Sequence, residues 1–133
     1  MYGYVSGLPA FLAYFATGIV LLVVFATIYS LVTPQKEYTL MRAGNSAATT
    51  AYLGALIGFS LPLASAAANS VSIVDFVIWA MVGAVIQLFA FGLSAATQRG
   101  LASRITGGEM SAGLWAGGIA LIVGLLNAAC MTY

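Results

Sequence analysis

Four polar side chains stand inside otherwise apolar runs of this 133-residue chain: Asp75, Gln87, Asn127 and Asn69. Asp75 is the single acid outside two short charged connections. At the start of an apolar run, a carboxylate either caps the first helical turn, where free N–H groups and the positive dipole end favour it, or attracts a cation or proton at the mouth of a polar route. Gln87 falls in the middle of the same run. A buried amide there bonds across to a neighbouring helix or lines a pathway. Asn127 and Asn69 are expected at the level of Asp75, with Thr132 and Cys130 close by in sequence, which makes the four a candidate polar pathway. Catalytic chemistry has little to build on. The chain has no His and one Cys, no acidic pair at helical spacing, no phosphate-binding loop and no metal-ligand cluster. It is read as a non-enzyme with no cofactor, and the absence of a basic patch argues against nucleic acid as a partner.

The elements that position these residues follow from charge placement. Only 5% of residues are charged and 62% are hydrophobic, where a soluble domain carries roughly 25% charged residues. So few charges cannot cover a water-exposed surface, and the lipid bilayer is the expected solvent. Lys36, Glu37, Arg42, Asp75, Arg99, Arg104 and Glu109 divide the chain into uncharged stretches at 1–35, 43–74, 76–98 and 110–133. Each exceeds the roughly 20 residues a helix needs to cross the hydrocarbon core. Runs of this length without alternating polarity exclude barrel strands. The predicted fold is therefore all-α and polytopic, a single membrane domain over 1–133 with four transmembrane helices near 8–32, 47–67, 73–97 and 112–131. The first apolar run lacks a basic leader and exceeds a signal-peptide core, so it is expected to be a retained helix.

Thr33 and Pro34 close the first span, because proline disfavours helix in the residue before it. All four basic residues lie in the two connections, Lys36 and Arg42 in the first and Arg99 and Arg104 in the second. The positive-inside rule puts both connections in the cytoplasm and both termini outside. Lys36, Arg42, Arg99 and Arg104 are thereby candidate docking residues for a cytoplasmic protein partner. Each half of the chain reads as a helix, a basic connection and a Gly/Ala-rich helix, with Gly18 matching Gly83 and Phe11 matching Phe76. This predicts two tandem parallel-repeat hairpins, about 1–68 and 69–133, rather than the inverted repeats of many transporters.

Small residues at helical spacing mark packing faces. Gly54 and Gly58 form one, extended by Ala47 and Ala51; Gly113 and Gly117 form another, continued by Ala120 and Gly124. Such faces let backbones approach closely, either within the bundle or between copies in a homo-oligomer. Pro62 is expected to bend the second span by freeing a backbone carbonyl. Tyr2, Tyr4, Tyr133, Trp79 and Trp115 fall near span ends, where aromatic rings anchor at the interface.

The segments ATGIV (16–20), TIYSLVTP (27–34), EYTLMRAGNS (37–46), GFSLPLAS (58–65) and GLLNAACMT (124–132) resemble the YjfL-like family of small bacterial inner-membrane proteins over nearly the whole chain. The resemblance implies an inner-membrane location and a duplicated two-helix unit. It brings no catalytic residues, and it implies a link to envelope maintenance or stress. Two functions remain open on these readings. One is a non-enzymatic, oligomeric membrane component that organises or recruits partners. The other is a small oligomeric channel or transporter with Asp75 at its external mouth.

Overall fold

The computed structural model describes residues 6–131. Six helices follow one another: α1 Leu8–Val32, α2 Glu37–Arg42, α3 Ser46–Asn69, α4 Ile73–Thr97, α5 Leu101–Thr106 and α6 Met110–Ala129. The four long ones have the length and composition to cross a membrane, as predicted. In a bilayer core every backbone N–H and C=O must be bonded within its own segment, which helices achieve. Tyr2, Tyr4, Thr132 and Tyr133 lie outside the described residues.

The two connections are more ordered than their polarity suggests, since each folds a six-residue helix, α2 or α5. Both helices end in the same turn. Gly44 and Gly108 adopt φ of +84° and +86°, a left-handed conformation that costs glycine least. The amides of Asn45 and Glu109 then reach back to Leu40 O and Arg104 O, and those of Gly44 and Gly108 to Met41 O and Ile105 O. This pairing satisfies carbonyls that a helix end otherwise leaves open.

The bundle is organised around α3 and α6, which pack most closely of all pairs. The glycines explain the approach. A Cβ added at Gly54 would stand 2.8 Å from Gly117 C, one at Gly113 2.8 Å from Ala47 C, and one at Gly124 2.8 Å from Gly58 C. Helix α3 continues through Pro62 without interruption. Proline cannot bond the carbonyl four residues back, here Gly58 O, and that carbonyl lies against the hydrogen-only face of Gly124. Helix α4 closes on this pair through buried Phe76, Ala80, Gly83 and Ala90. Helix α1 lies at the edge, with Phe25 and Tyr29 its buried side chains. Phe25 stacks on Phe59 of α3 at a centroid distance of 4.3 Å. Elsewhere α1 turns Leu12, Phe15, Val20 and Val23 outward, the face expected of a helix whose solvent is lipid. An apolar groove of about 380 Å³ between α1, α3 and α4 is lined by Tyr14, Leu22, Leu63 and Phe76.

Candidate functional site

Asp75 is part of a helix cap. Ser72 is the N-cap of α4 and accepts from Asp75 N at 3.1 Å, while Asp75 Oδ2 accepts from Val71 N at 3.1 Å. The two side chains satisfy amides that the start of a helix leaves unpaired. Ser72→Ala is expected to cost about 1 kcal/mol, read from the midpoint of denaturant unfolding in bicelles. Asn69 donates to Ser65 O at 2.8 Å within its own helix. Asn127 donates to Gly83 O at 3.0 Å, joining α6 to α4.

Gln87, 1% exposed, donates from Nε2 to Ala120 O at 2.7 Å and so also joins α4 to α6. Its Oε1 is buried without a partner. Interhelical hydrogen bonds of this kind contribute about 0.6 kcal/mol on average, and an orphaned buried acceptor offsets part of that. Gln87→Leu is therefore expected to change unfolding free energy by less than about 1 kcal/mol. The four polar residues thus divide between a cap, an intrahelical bond and two interhelical bonds, and no hydrogen bond joins any of them to another.

Polar groups gather instead at the opposite end of the bundle, where the connections lie. Asn45 holds the two connections together. Its Oδ1 caps α3 by accepting from Ala48 N at 3.0 Å, and its Nδ2 donates to Ile105 O at 2.9 Å and Thr106 O at 3.1 Å. Asn45→Asp retains the cap acceptor and loses the donor to the second connection. The expected result is faster amide exchange in α5 with that of the first turn of α3 unchanged. Arg104 is committed to a two-pronged pair with Glu109, Nε to Oε2 at 2.6 Å and Nη2 to Oε1 at 3.0 Å, and its Nη1 donates to Gln98 Oε1 at 2.9 Å. This pair holds the Glu109 carboxyl below its usual value and the guanidinium above its own. Lys36, Arg42 and Arg99 are exposed, and Arg104–Glu109 is the one ion pair among the described residues. Trp115, near the same end, donates to Thr97 Oγ1 at 2.9 Å.

The residue that sequence reasoning overlooked is Glu37. Counted there only as a loop charge, it is 2% exposed. After α1 the chain leaves the helix at Thr33, with φ −77° and ψ 141°, and bends through residues 33–35. Along this path Thr33, Gln35 and Glu37 are buried while Pro34 and Lys36 are exposed. All five residues are non-hydrophobic, so nothing in the sequence marked which of them would be buried. Glu37 meets the Thr33 hydroxyl, which also bonds Tyr29 O at 3.1 Å. Ser30 Oγ is buried beside Glu37 and Tyr52 but makes no hydrogen bond of ordinary geometry, and both amide atoms of Gln35 are buried without partners. Tyr38 and Tyr52 hydroxyls pair at 2.5 Å, and Tyr52 donates to Ala26 O at 3.4 Å. Burial pushes the Glu37 carboxyl above its ordinary value, opposed by hydrogen bonds from Thr33 and its own backbone N–H. A cavity of about 230 Å³, lined by Ser30, Lys36, Glu37, Tyr38 and Thr39, opens beside it. No cluster of three His, Cys, Asp or Glu able to hold a metal forms among the described residues.

The architecture defines a helical, multi-pass membrane protein whose two charged connections lie at one end. Residues 3–131 match the family described as Domain of Unknown Function (DUF350), and the chain belongs to that family. It is 41% identical over 128 residues to the UPF0719 inner membrane protein YjfL of Escherichia coli (strain K12), covering 96% of this chain and 97% of the relative. The protein of the same description from Escherichia coli O157:H7 matches at the same 41% identity and coverage. No solved structure matches. Neither description carries an enzymatic name, and the relatives together with four membrane-crossing helices support a multi-pass inner-membrane location.

Proposed function

We propose that this chain is a non-enzymatic inner-membrane component that recruits a protein partner through its charged end. The observation that carries this reading is the joining of the two connections by Asn45, which makes one ordered platform of α2 and α5 with Lys36, Arg42 and Arg99 exposed on it. Ordered cations at a membrane surface suit a partner with an acidic docking segment. Arg104, committed to Glu109, serves the platform's shape. The test is capture by in-cell crosslinking with Lys36→Glu, Arg42→Glu and Arg99→Glu combined. At least a tenfold loss of the crosslinked partner is expected, and undiminished capture would sink the proposal.

The platform is placed in the cytoplasm by the positive-inside rule, with both termini across the membrane. Cys130 offers a direct check, being the only cysteine and exposed. A membrane-impermeant maleimide applied to spheroplasts is expected to label it; labelling only after lysis reverses the topology. A tandem duplication is supported by the repeated order of long helix, short helix and long helix, and by the shared turns at Gly44 and Gly108. Self-association, as proposed from sequence, has to use faces other than the Gly54–Gly58 and Gly113–Gly124 stripes, which face one another within the chain. A role in envelope maintenance rests on the family resemblance. The channel reading is the second choice, since Asp75, Gln87, Asn127 and Asn69 each make a bond that supports the helices. Asp75→Asn is expected to leave ion flux in liposomes at the parent level.

A further inference from the structure

We propose that Glu37 is a proton-binding site, that docking under α1 makes its carboxyl hold a proton above the ordinary carboxylate range, and that losing this proton loosens α2 from the bundle. The Thr33 hydroxyl has one hydrogen and lies within bonding distance of two acceptors, Tyr29 O and Glu37 Oε1. With Glu37 ionised, that hydrogen serves one of them. With Glu37 protonated, the carboxyl donates to Thr33 Oγ1 and Thr33 donates onward to Tyr29 O, so every contact becomes a bond.

The surroundings point the same way. A buried carboxylate needs a cation or several donors to offset lost hydration. Glu37 has no cation within ion-pair distance, and burial outweighs the donors that favour its ionised form, the Thr33 hydroxyl, its own backbone N–H and the Ser30 hydroxyl. The titratable groups facing it are Tyr29 from α1 and Tyr52 from α3, phenols that are uncharged at neutral pH. Tyr38 and Lys36 line the adjoining cavity. Lys36 favours the ionised form, but its side chain is exposed and water screens its charge. Burial raises the carboxyl's affinity for its proton, in agreement with the count of hydrogens.

The consequence of ionisation is local. Glu37 is the first residue of α2, and its bond to Thr33 is one of two ties between α2 and the end of α1. The other runs from Tyr38 through Tyr52 to Ala26 O. A charged Glu37 is drawn toward the water of the adjoining cavity, and of the two hydrogen-bonded ties to α1 only the tyrosine pair then remains beside the packing of Leu40 and Met41. This inference is independent of whether the platform docks a partner.

The full chain in lipid nanodiscs allows a direct measurement, because its only glutamates are Glu37 and Glu109. Cell-free synthesis with carboxyl-¹³C glutamate marks both, and Glu37→Gln and Glu109→Gln assign them by infrared difference spectroscopy. Expected is an isotope-sensitive protonated-carboxyl stretch that persists above the ordinary glutamate value of about 4.3, kept in Glu109→Gln and missing in Glu37→Gln. It should vanish as pH rises further, together with a rise in α2 amide exchange beyond the intrinsic base-catalysed rate. In Glu37→Gln, which imitates the neutral acid, that additional rise should be absent. Titration of the band at or below the ordinary value of about 4.3 overturns the proton site. Loss of the band with unchanged α2 exchange overturns the loosening.

Discussion

Gly124→Ala is expected to cost about 3 kcal/mol or more of unfolding free energy, although it adds one methyl group. The new Cβ would stand 2.8 Å from both Gly58 C and Gly58 Cα. These are backbone atoms of a helix held on both faces, and no rotamer change relieves the contact. Separation of α3 from α6 is the remaining escape. It would also stretch the Ser65–Ala128 bond, made at 3.1 Å. Gly118→Ala on the same helix is the control, because nothing stands within 4 Å of its added Cβ. There the methyl meets open space and helix propensity favours alanine by up to about 1 kcal/mol. Unfolding in bicelles separates the two. Equal effects would mean that the close approach of α3 and α6 does not carry the stability assigned to it.

Opposite pH dependence is expected from the two glutamates. The Glu37 carboxyl is raised in the folded protein by burial. Between its unfolded value of about 4.3 and the raised folded value, the folded state binds more protons. Stability from this group is thus fully present below about pH 4.3 and is lost as pH rises through the folded value, at about 1.4 kcal/mol per unit of displacement. Glu109 behaves in reverse. Arg104 lowers it, so its contribution is present above the unfolded value and is lost as pH falls through the folded one. In denaturation titrations, Glu37→Gln should remove the decline toward high pH, and Glu109→Gln should flatten the acid limb. A decline that persists in Glu37→Gln would assign it to another group.

The contrast between these glutamates shows where sequence reading stops. Both are charges beside a basic residue in a polar connection, and no local feature separates them. Glu109 pairs with Arg104 because a glycine turn brings residues five apart face to face. Glu37 is buried because the bends after α1 fold it back against the end of that helix, beside Thr33. Similarly, the position of Asp75 allowed two readings, and the hydrogen bonds to it from Val71 N and from its own N–H to Ser72 came only from the structure. The glycine stripes were legible as packing faces, but whether they met each other or another copy depended on how the helices associate.

Number and approximate limits of the membrane helices, their all-α character and the position of the charged connections were determined by the sequence alone. Bilayer thickness and the need to bond every backbone group act on each segment separately, so a continuous apolar run suffices to define a span. The tertiary structure decided the rest: the pairing of α3 with α6, the helices inside the connections, the bonds that occupy Gln87 and Asn127, and the burial of Glu37. These depend on which faces meet across the bundle, and in a chain whose lipid-facing and core-facing residues are both apolar, hydrophobic periodicity does not distinguish one face from the other.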